Sequence, residues 1–487
     1  MKKSILLMAV VCVAALCTAQ QRMEVKKNLD SRTIGDAFVR EASYLGQYNG
    51  LYCFLGKEKR QRMKLVMVDH NMEPLRVMEL PESSVNCRLL AGSVNGNRLG
   101  LLLVDNDERS RAIIYTACFD LDSLRPADGG PGLVMTDSLT FGRKDRCMVW
   151  GATSPMARRN AMVVIVEYTE SKKYSAHAVL YDALMKEEWH YDYAMGSMND
   201  LHVTDDGTIV TLGYEPENEE THFVFNIMDG GRADTYDAVI KCDPIRELRL
   251  AGVVGSHVLA AGLFNTASYH SDDMCGGVVA LSFDKDSALL TGFTMRPFQN
   301  EDINILYNKP TRKIQRDQEV ELMSMVGSVM TPGGAVVAVG RNYGAEHVED
   351  NGSISNTYHR VGLHLLAVDT LGRVGWVRNL RRNDMQKGDD GLLGVGLMYA
   401  YGRTYIFKSE NRKSPASYEI SRESREYKAG TKSNLVVYSI GADGEVEKAV
   451  LEQKTPYGFV RAVRRDDGVM ALFTQDGRRS RIVELKL

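Results

Sequence analysis

Residues 363–376 read LHLLAVDTLGRVGW. The segment starts as a strongly apolar strand, turns at Asp369-Thr370-Leu371-Gly372, and continues as a more polar strand up to Trp376. Asp suits such a turn because its side chain accepts hydrogen bonds from backbone N–H groups two residues further on. The segment therefore predicts an antiparallel β-hairpin with one buried and one more polar strand.

The same hairpin recurs along the chain. Clear copies span residues 278–293 and 435–450, and looser ones span 64–80 and 177–193. A second hairpin, with a tight turn that leads into an apolar strand, precedes most of them. Many of these turns are Asn-Gly, Asp-Gly or Gly-Gly pairs, which type I′ hairpin turns favour. The eight turns fall at 49-50, 95-96, 159-160, 206-207, 255-256, 333-334, 401-402 and 467-468.

Successive turns are 46, 64, 47, 48, 79, 68 and 66 residues apart. The shortest spacings match the roughly 40–50 residues of a four-stranded propeller blade. One blade cannot bury both of its faces, so blades must stack, and a closed ring removes most free edges. We therefore predict an all-β fold, a β-propeller of about eight four-stranded antiparallel blades, with seven as the alternative. A single domain would span residues 20–487, and residues 23–29 or 37–39 would supply the last blade's fourth strand.

Two other all-β architectures are alternatives to the ring. A linear β-solenoid has shorter coils of even length. A chain of β-sandwich domains remains an alternative, although no Pro, Ser or charge-rich linker separates such domains. The pattern resembles the β-propeller proteins over nearly the whole mature chain. Ala367-Val368-Asp369, Gly372 and Trp376 are similar to the repeat of quinoprotein-type eight-bladed propellers. The adjacent cysteines of some quinoprotein dehydrogenases are absent, so the resemblance implies blade geometry, and no cofactor is predicted.

Composition indicates an ordinary globular protein, with 44% hydrophobic and 25% charged residues. The net charge of −3 gives no basic field for nucleic acid. Residues 1–19 read as a secretory signal, with Lys2 and Lys3 before an apolar run and small residues before Gln20. An uncleaved anchor and a lipoprotein at Cys17 are the alternatives. We expect an exported, periplasmic or extracellular monomer with no transmembrane segment in the mature chain.

Signal cleavage would leave six cysteines, none of them in a CxxC pair. Most lie in apolar runs, where a thiol acts as a small buried hydrophobe. Cys242 and Cys275 would lie at the same end of the fifth blade, just before its first and third strands, which the second strand separates. That separation of about 9–10 Å exceeds the ~7 Å that a disulfide tolerates between Cα atoms, so we predict free thiols.

The longest links between strands predict where a ligand binds. In an up-and-down blade, the links between strands 2 and 3 and those between blades emerge on one face, which we call the loop-rich face. Long insertions lie around residues 298–320, 342–360 and 409–433, and the last, with nearly balanced charges, is expected to be solvated and partly helical. We select as candidate ligand-binding residues Tyr269, His270, Asp272, Asp273, Tyr343, His347, Glu349 and Asp350. The alternative is that these residues belong to solvated surface loops without a ligand. The His and carboxylate groups could also hold a divalent metal, but that interpretation is weaker, so no metal is predicted.

These observations predict a non-catalytic propeller that binds a glycan, peptide or protein partner at its loop-rich face. The alternative is a propeller enzyme acting on glycans, of glycoside hydrolase or lyase type. No nucleophile elbow, zinc-protease or phosphate-loop motif supports catalysis, and the catalytic residues of such an enzyme are unknown. Acidic residues converging at the channel mouth would favour the enzyme. The aromatic stretch 189–193 is expected to pack on an outer strand rather than to stack on sugar.

Overall fold

The computed structural model describes residues 24–27, 42–56, 62–80, 87–108, 111–127, 132–142, 144–193, 198–217, 220–230, 232–265, 274–287, 289–309, 320–348, 354–388, 391–420, 423–464, 469–476 and 479–486. Eight antiparallel sheets of four main strands follow one another along the chain and form a propeller ring. Contacts between the first strands of successive blades order the sheets around the ring. The predicted fold class and the blade count of eight are confirmed.

The first half of the ring holds four blades, preceded by strand β1 (Glu24–Lys27). Blade 1 comprises β2 (Ser43–Tyr48), β3 (Leu51–Gly56), β4 (Lys64–Val68) and β5 (Pro74–Glu79). Blade 2 comprises β6 (Arg88–Asn95), β7 (Arg98–Glu108), β8 (Arg111–Asp120), the short β9 (Arg125–Pro126) and β10 (Val134–Thr140). Blade 3 comprises β11 (Arg146–Thr153), β12 (Arg159–Tyr168), β13 (Lys173–Asp182) and β14 (Glu187–Tyr193). Blade 4 comprises β15 (Asp200–Val203), β16 (Ile209–Glu217), β17 (Glu220–Asp229) and β18 (Arg232–Lys241).

The second half contains the longest strands and the helix α1. Blade 5 comprises β19 (Ile245–Val254), β20 (His257–Phe264), β22 (Gly277–Asp284) and β23 (Leu289–Pro297), followed by α1 (Asn300–Leu306). The short strands β21 (Met274–Cys275) and β24 (Val320–Glu321) pair with each other. Blade 6 comprises β25 (Met323–Thr331), β26 (Gly334–Val348), β27 (Ile354–Asp369) and β28 (Val374–Lys387). Blade 7 comprises β29 (Gly396–Ala400), β30 (Arg403–Asn411), β32 (Ser433–Ile440) and β33 (Val446–Thr455), with β31 (Tyr427–Lys428) lying against β28. Blade 8 comprises β34 (Gly458–Arg464), β35 (Met470–Asp476), β36 (Arg479–Lys486) and β1.

Position within a blade explains the hydrophobic pattern of each strand. The second and third strands are covered on both sides by neighbouring blades, and in β32 every residue is buried. The fourth strand has one solvated face, so β5 alternates between half-buried and exposed residues. Asn49 and Gly50 both have positive φ between β2 and β3, as a type I′ turn requires, whereas in blades 2, 4 and 5 only the glycine of the predicted turn pair does (Gly96, Gly207 and Gly255). In blade 3, however, the turn occupies residues 154–158, and Arg159-Asn160 begins β12.

The ring is closed by the N-terminal strand. Strand β1 pairs antiparallel with β36, from Glu24 opposite Lys486 to Lys27 opposite Val483. It thereby completes blade 8, whose other three strands come from the C-terminal end of the sequence. Of the two predicted closing segments, residues 23–29 contain the strand, whereas residues 37–39 lie outside the described residues. Side-chain packing of blade 8 on blade 1, with Phe473 edge-on to Tyr52 and Phe54, seals the same junction.

Glycines on the innermost strands let neighbouring blades approach each other. A Cβ atom on Gly151 of β11 would lie 2.6 Å from Leu90 Cβ of β6, and one on Gly46 would lie 2.9 Å from Val94 Cβ. Gly252, Gly327 and Gly396 meet the adjacent blade in the same way. The first strands converge at the centre of the ring, so a missing side chain there sets the spacing between blades.

Replacing Gly151 with alanine is therefore expected to destabilise the protein by about 1–3 kcal/mol, the usual cost of overpacking. Its new methyl group would press on the backbone of Leu90, which a rotamer change cannot relieve. Gly375→Ala, in the outer strand β28, is the matched control because the nearest atom to its Cβ is 3.9 Å away. Urea unfolding of both variants measures the difference, and equal stabilities would contradict this role for Gly151.

Polar side chains of the innermost strands tie successive blades together. Asp200 of blade 4 accepts a hydrogen bond from Leu250 N of blade 5 at 2.7 Å, and Glu247 of blade 5 accepts one from Met325 N of blade 6 at 3.0 Å. At the closure, Arg461 Nη2 donates to the Ala42 carbonyl at 2.9 Å. These carboxylates and guanidinium groups hold the ring together at its centre.

Two insertions differ from the expectation. Residues 342–360 are largely strand, because β26 and β27 continue as a paired hairpin of 15 and 16 residues instead of ending in a long loop. The 409–433 insertion is not helical in its described part: it runs as turns and the short strand β31, against the outer strand of blade 6. Pairing with β28 satisfies backbone hydrogen bonds of β31 that would otherwise require a helix. Within the described residues, no helix is long and apolar enough to cross a membrane.

The cysteines and the aromatic stretch lie as follows. All six cysteines after residue 19 are free thiols. Cys275 is buried in β21, and burial raises the pKa of the Cys53 thiol to about 12.

The aromatic stretch 189–193 belongs to β14, the outer strand of blade 3, where Trp189 lies opposite Leu180 and packs against the core. The expectation of packing for this stretch is confirmed.

Candidate functional site

The structure describes part of the predicted site. Tyr269, His270, Asp272, Asp273, Glu349 and Asp350 lie outside the described residues. His347 lies on β26, but its side chain is not described. Tyr343 is described, and it lies on the part of the β26–β27 hairpin that extends toward the loop-rich face.

Tyr343 belongs to a stack of planar side chains around Arg341. The rings of Tyr343 and His359 are nearly parallel, with centroids 4.7 Å apart. The Arg341 guanidinium lies 4.8 Å from the centroid of Tyr343 and 4.6 Å from that of Tyr307. We call Tyr307, Arg341, Tyr343 and His359 the Arg341 stack. Each of its two tyrosines can make a cation–π interaction with the same guanidinium.

Three elements position the stack. Tyr343 and His359 are directly opposite in the β26–β27 register, and Arg341 precedes Tyr343 by two residues, on the same face of the strand. Tyr307 is the C-cap of α1, and its hydroxyl accepts a hydrogen bond from the Glu321 backbone N–H at 3.3 Å. Arg341 also pairs with the Glu321 carboxylate at 3.3 Å. The stack therefore joins α1, β24 and the long hairpin.

The sequence pattern selected Tyr343 but not Arg341, His359 or Tyr307. Arg341 and Tyr343 alternate by two residues in the sequence, as side chains on one face of a strand do, and this was the available signal. It could not be used because residues 342–360 read as a loop. The contact with Tyr307 depends on where α1 ends.

A buried charge cluster lies between blades 6 and 7. Glu410 of β30 pairs with Lys408 at 2.9 Å and with Lys448 of β33 at 2.7 Å, and the Tyr438 hydroxyl donates to the same carboxylate. Burial alone would raise the pKa of Glu410, but the two ammonium groups outweigh it and the pKa falls to about 2. The carboxylate is thus held in its charged form by three donors.

A second buried cluster fixes α1 on blade 6. The Asp302 carboxylate accepts hydrogen bonds from Arg296 Nη1 at 3.0 Å and from Asn379 Nδ2 at 2.7 Å. His364 Nδ1 lies 2.6 Å from Asn379 Oδ1, and its Nε2 faces Arg296 Nη1 at 3.3 Å. Burial lowers the pKa of His364, which fits a neutral ring that donates from Nδ1 and accepts at Nε2. Because α1 carries Tyr307 at its end, this cluster also supports the Arg341 stack.

The carboxylates described on the innermost strands are engaged in hydrogen bonds within the ring. Burial raises the pKa of Asp200, and its two oxygens accept the N–H groups of Leu201 and Leu250. Glu247 accepts the N–H of Met325 and faces Arg249. Both groups link blades to each other. Within the part of the chain that the structure describes, no group of three or more His, Cys, Asp or Glu side chains could hold a metal ion.

Comparison with known proteins finds structural likeness and no relative in sequence. No protein-family model and no curated protein matches the chain. The β-propeller domain of the Trilobed protease from Pyrococcus furiosus is 13% identical, with 69% of this chain and 79% of that chain covered and a TM-score of 0.31. The polysaccharide lyase Uly1 is 10% identical, with 95% and 98% covered and a TM-score of 0.36. For prolyl oligopeptidase B from Galerina marginata the identity is 9%, the coverage 93% and 55%, and the TM-score 0.39. Such low identities and scores say nothing about activity.

Proposed function

We propose that this protein is an exported, non-catalytic β-propeller that binds a protein or peptide partner at its loop-rich face, around blade 6. The observation that carries the proposal is the Arg341 stack, placed on the longest hairpin of the ring. Tyr and Arg are enriched among the residues that dominate binding energy at protein interfaces. A rigid scaffold that presents such residues on a projecting hairpin is a common arrangement for recognition.

The packing of the stack favours a protein over a glycan. A sugar ring stacks on an open aromatic face, whereas Tyr343 already has His359 parallel to its ring and Arg341 against it. Tyr307 likewise has the Arg341 guanidinium over its ring at 4.6 Å and the Lys309 ammonium at 5.1 Å. These half-buried side chains present ring edges, hydroxyl groups and guanidinium N–H groups to a partner. Such groups suit the mixed apolar and polar contacts of a protein interface.

Two further points support the proposal. The described carboxylates near the channel, Asp200 and Glu247, serve as links between blades and so are not placed as an acid and base pair for glycan cleavage. Export rests on the signal-like residues 1–19. Sequencing the N-terminus of the mature protein, expected to begin at Gln20, tests export.

A photo-crosslinking amino acid at position 343 is expected to capture a protein from extracts of the native host, because the Tyr343 ring lies at the proposed interface. The same crosslinker at Tyr401, an exposed tyrosine in a turn on the opposite face, is the matched control. Adding Arg341→Ala should reduce the capture at position 343 about 10-fold or more, as the loss of a dominant interface residue does. The captured species is identified by mass spectrometry.

Two results would contradict the proposal. Equal capture from positions 343 and 401 would show that the loop-rich face has no special role. Release of new sugar ends from a polysaccharide by the purified protein, abolished by a substitution in the channel, would establish the enzyme alternative instead.

A further inference from the structure

A polar cavity of about 240 Å³ lies beside the buried charge cluster. Its walls are the outer strand of blade 6, the strands of blade 7, and residues 413–419 and 423–425, which form the covering segment. Arg381, Glu410 and Tyr438 are buried in its walls, whereas Lys413, Glu419 and Arg425 are exposed at its rim. The space is large enough for several waters or one small organic molecule.

The Arg381 side chain is buried here with hydrogen-bonding capacity left unused. Its residue exposure is 6%, its Nε donates to the Ile420 carbonyl at 2.5 Å, and its Nη1 donates to the Lys309 carbonyl at 3.2 Å. Its Nη2 has no hydrogen-bond partner among the described residues, and neither does the buried Oγ of Ser414. Buried donors of a charged group are costly to leave unpaired. Both residues line the cavity, so a ligand held there can supply the missing partners.

Charge around the cavity indicates what kind of ligand fits. Four cationic side chains line it, Arg381, Lys413, Arg425 and Lys448, against three acidic ones, Glu410, Glu419 and Glu423. Glu410 is already neutralised by Lys448 and by Lys408 below it. Lys448 Nζ also donates to the Pro415 carbonyl at 2.7 Å, which ties the covering segment to the cluster. The lining thus has one cation in excess, and its unpaired buried donor is the Arg381 guanidinium, which also interacts with the charge of Glu423.

We propose that this cavity binds a small organic carboxylate, no larger than a sugar acid, with Arg381 as the residue that recognises the carboxylate. Guanidinium groups match the planar geometry of a carboxylate and bind it with charge-assisted hydrogen bonds. Ser414, on the covering segment, supplies a hydroxyl that can donate to or accept from the same ligand. The inference is independent of the partner surface, because the cavity shares no lining residue with the Arg341 stack.

Isothermal titration calorimetry of the mature chain, residues 20–487, tests the site with acetate, citrate and glucuronate as probes. Glucose is the uncharged match for glucuronate, and inorganic phosphate and sulfate test whether any anion is accepted. At least one carboxylate is expected to bind with Kd in the millimolar range or below, and glucose is expected not to bind.

Three variants locate the binding. Arg381→Lys keeps the charge but loses the planar fork, and it should weaken the carboxylate at least about 10-fold. Ser414→Ala, on the covering segment, should weaken it several-fold with little change in stability, and it keeps the test valid if the Arg381 variant folds poorly. Arg412→Ala, an exposed neighbour outside the cavity, should bind as the parent chain does.

Each other outcome overturns the proposal. No heat from any carboxylate up to about 50 mM would mean that water alone fills the cavity. Equal binding of phosphate, sulfate and carboxylates would mean a general anion site. Carboxylate binding that neither Arg381→Lys nor Ser414→Ala weakens would place the ligand elsewhere on the molecule.

Discussion

Replacing Glu410 with glutamine is expected to destabilise the protein by about 3–5 kcal/mol, the usual cost of breaking a buried ion pair by removing one partner. The substitution preserves shape but removes the charge that compensates both Lys408 and Lys448, whose side chains are 1% and 3% exposed. Two ammonium groups would then share a buried site without a carboxylate. Urea unfolding followed by circular dichroism measures the loss.

The matched control is Glu447→Gln, in the same blade. Glu447 pairs with Arg403 at 3.2 Å, but its side chain is 68% exposed, so the loss should be at most about 1 kcal/mol. Acid should also reduce the difference between the parent chain and Glu410→Gln. The folded pKa of Glu410, about 2, lies below its ordinary value of 4.5, so its contribution is present above that value and is lost as the pH falls toward 2. Equal effects of the two substitutions, or a difference that is independent of pH in this range, would contradict the role of Glu410.

Removing strand β1 is expected to open the ring. A mature chain that begins at residue 29 lacks Glu24–Lys27 and leaves the backbone of β36 unpaired along one edge. Four lost residue pairs correspond to about 2–6 kcal/mol of hydrogen-bond stabilisation, and an exposed edge strand invites aggregation. Thermal unfolding and light scattering measure both effects.

A chain that begins at residue 23 is the matched control, because it loses only residues 20–22 and keeps the strand. It should be as stable and as monodisperse as the chain that begins at Gln20. If the chain that begins at residue 29 behaves in the same way, the pairing of β1 with β36 does not hold the ring together.

Repetition made the fold readable from sequence. Asn49, Gly50 and Gly207 adopt positive φ at low cost in their turns, and the apolar strand after each turn must be covered on both sides. Eight such copies admit few architectures, so the blades and their strand order followed from local pattern and burial alone, whereas the choice between residues 23–29 and 37–39 as the closing strand did not. The outer position of residues 189–193 followed in the same way.

The site could be predicted only in part. Tyr343 was selected because long insertions predict the loop-rich face, yet residues 342–360 proved to be extended strands. In isolation, the polar sequence of this segment gives no reason for a strand. Pairing of β26 with β27 and of β27 with β28 supplies the backbone hydrogen bonds that make it one.

The sequence by itself determined the all-β class and a ring of about eight blades, because turn chemistry and hydrophobic alternation are local properties. Only the tertiary structure decided which distant side chains meet. Arg341 of β26 contacts Tyr307 at the end of α1. Glu410 of β30 pairs with Lys448 of β33 in the same blade. Arg381 of blade 6 and Ser414 of the blade 7 insertion line one cavity. Such contacts depend on how one blade lies against the next, and no spacing along the chain encodes that distance.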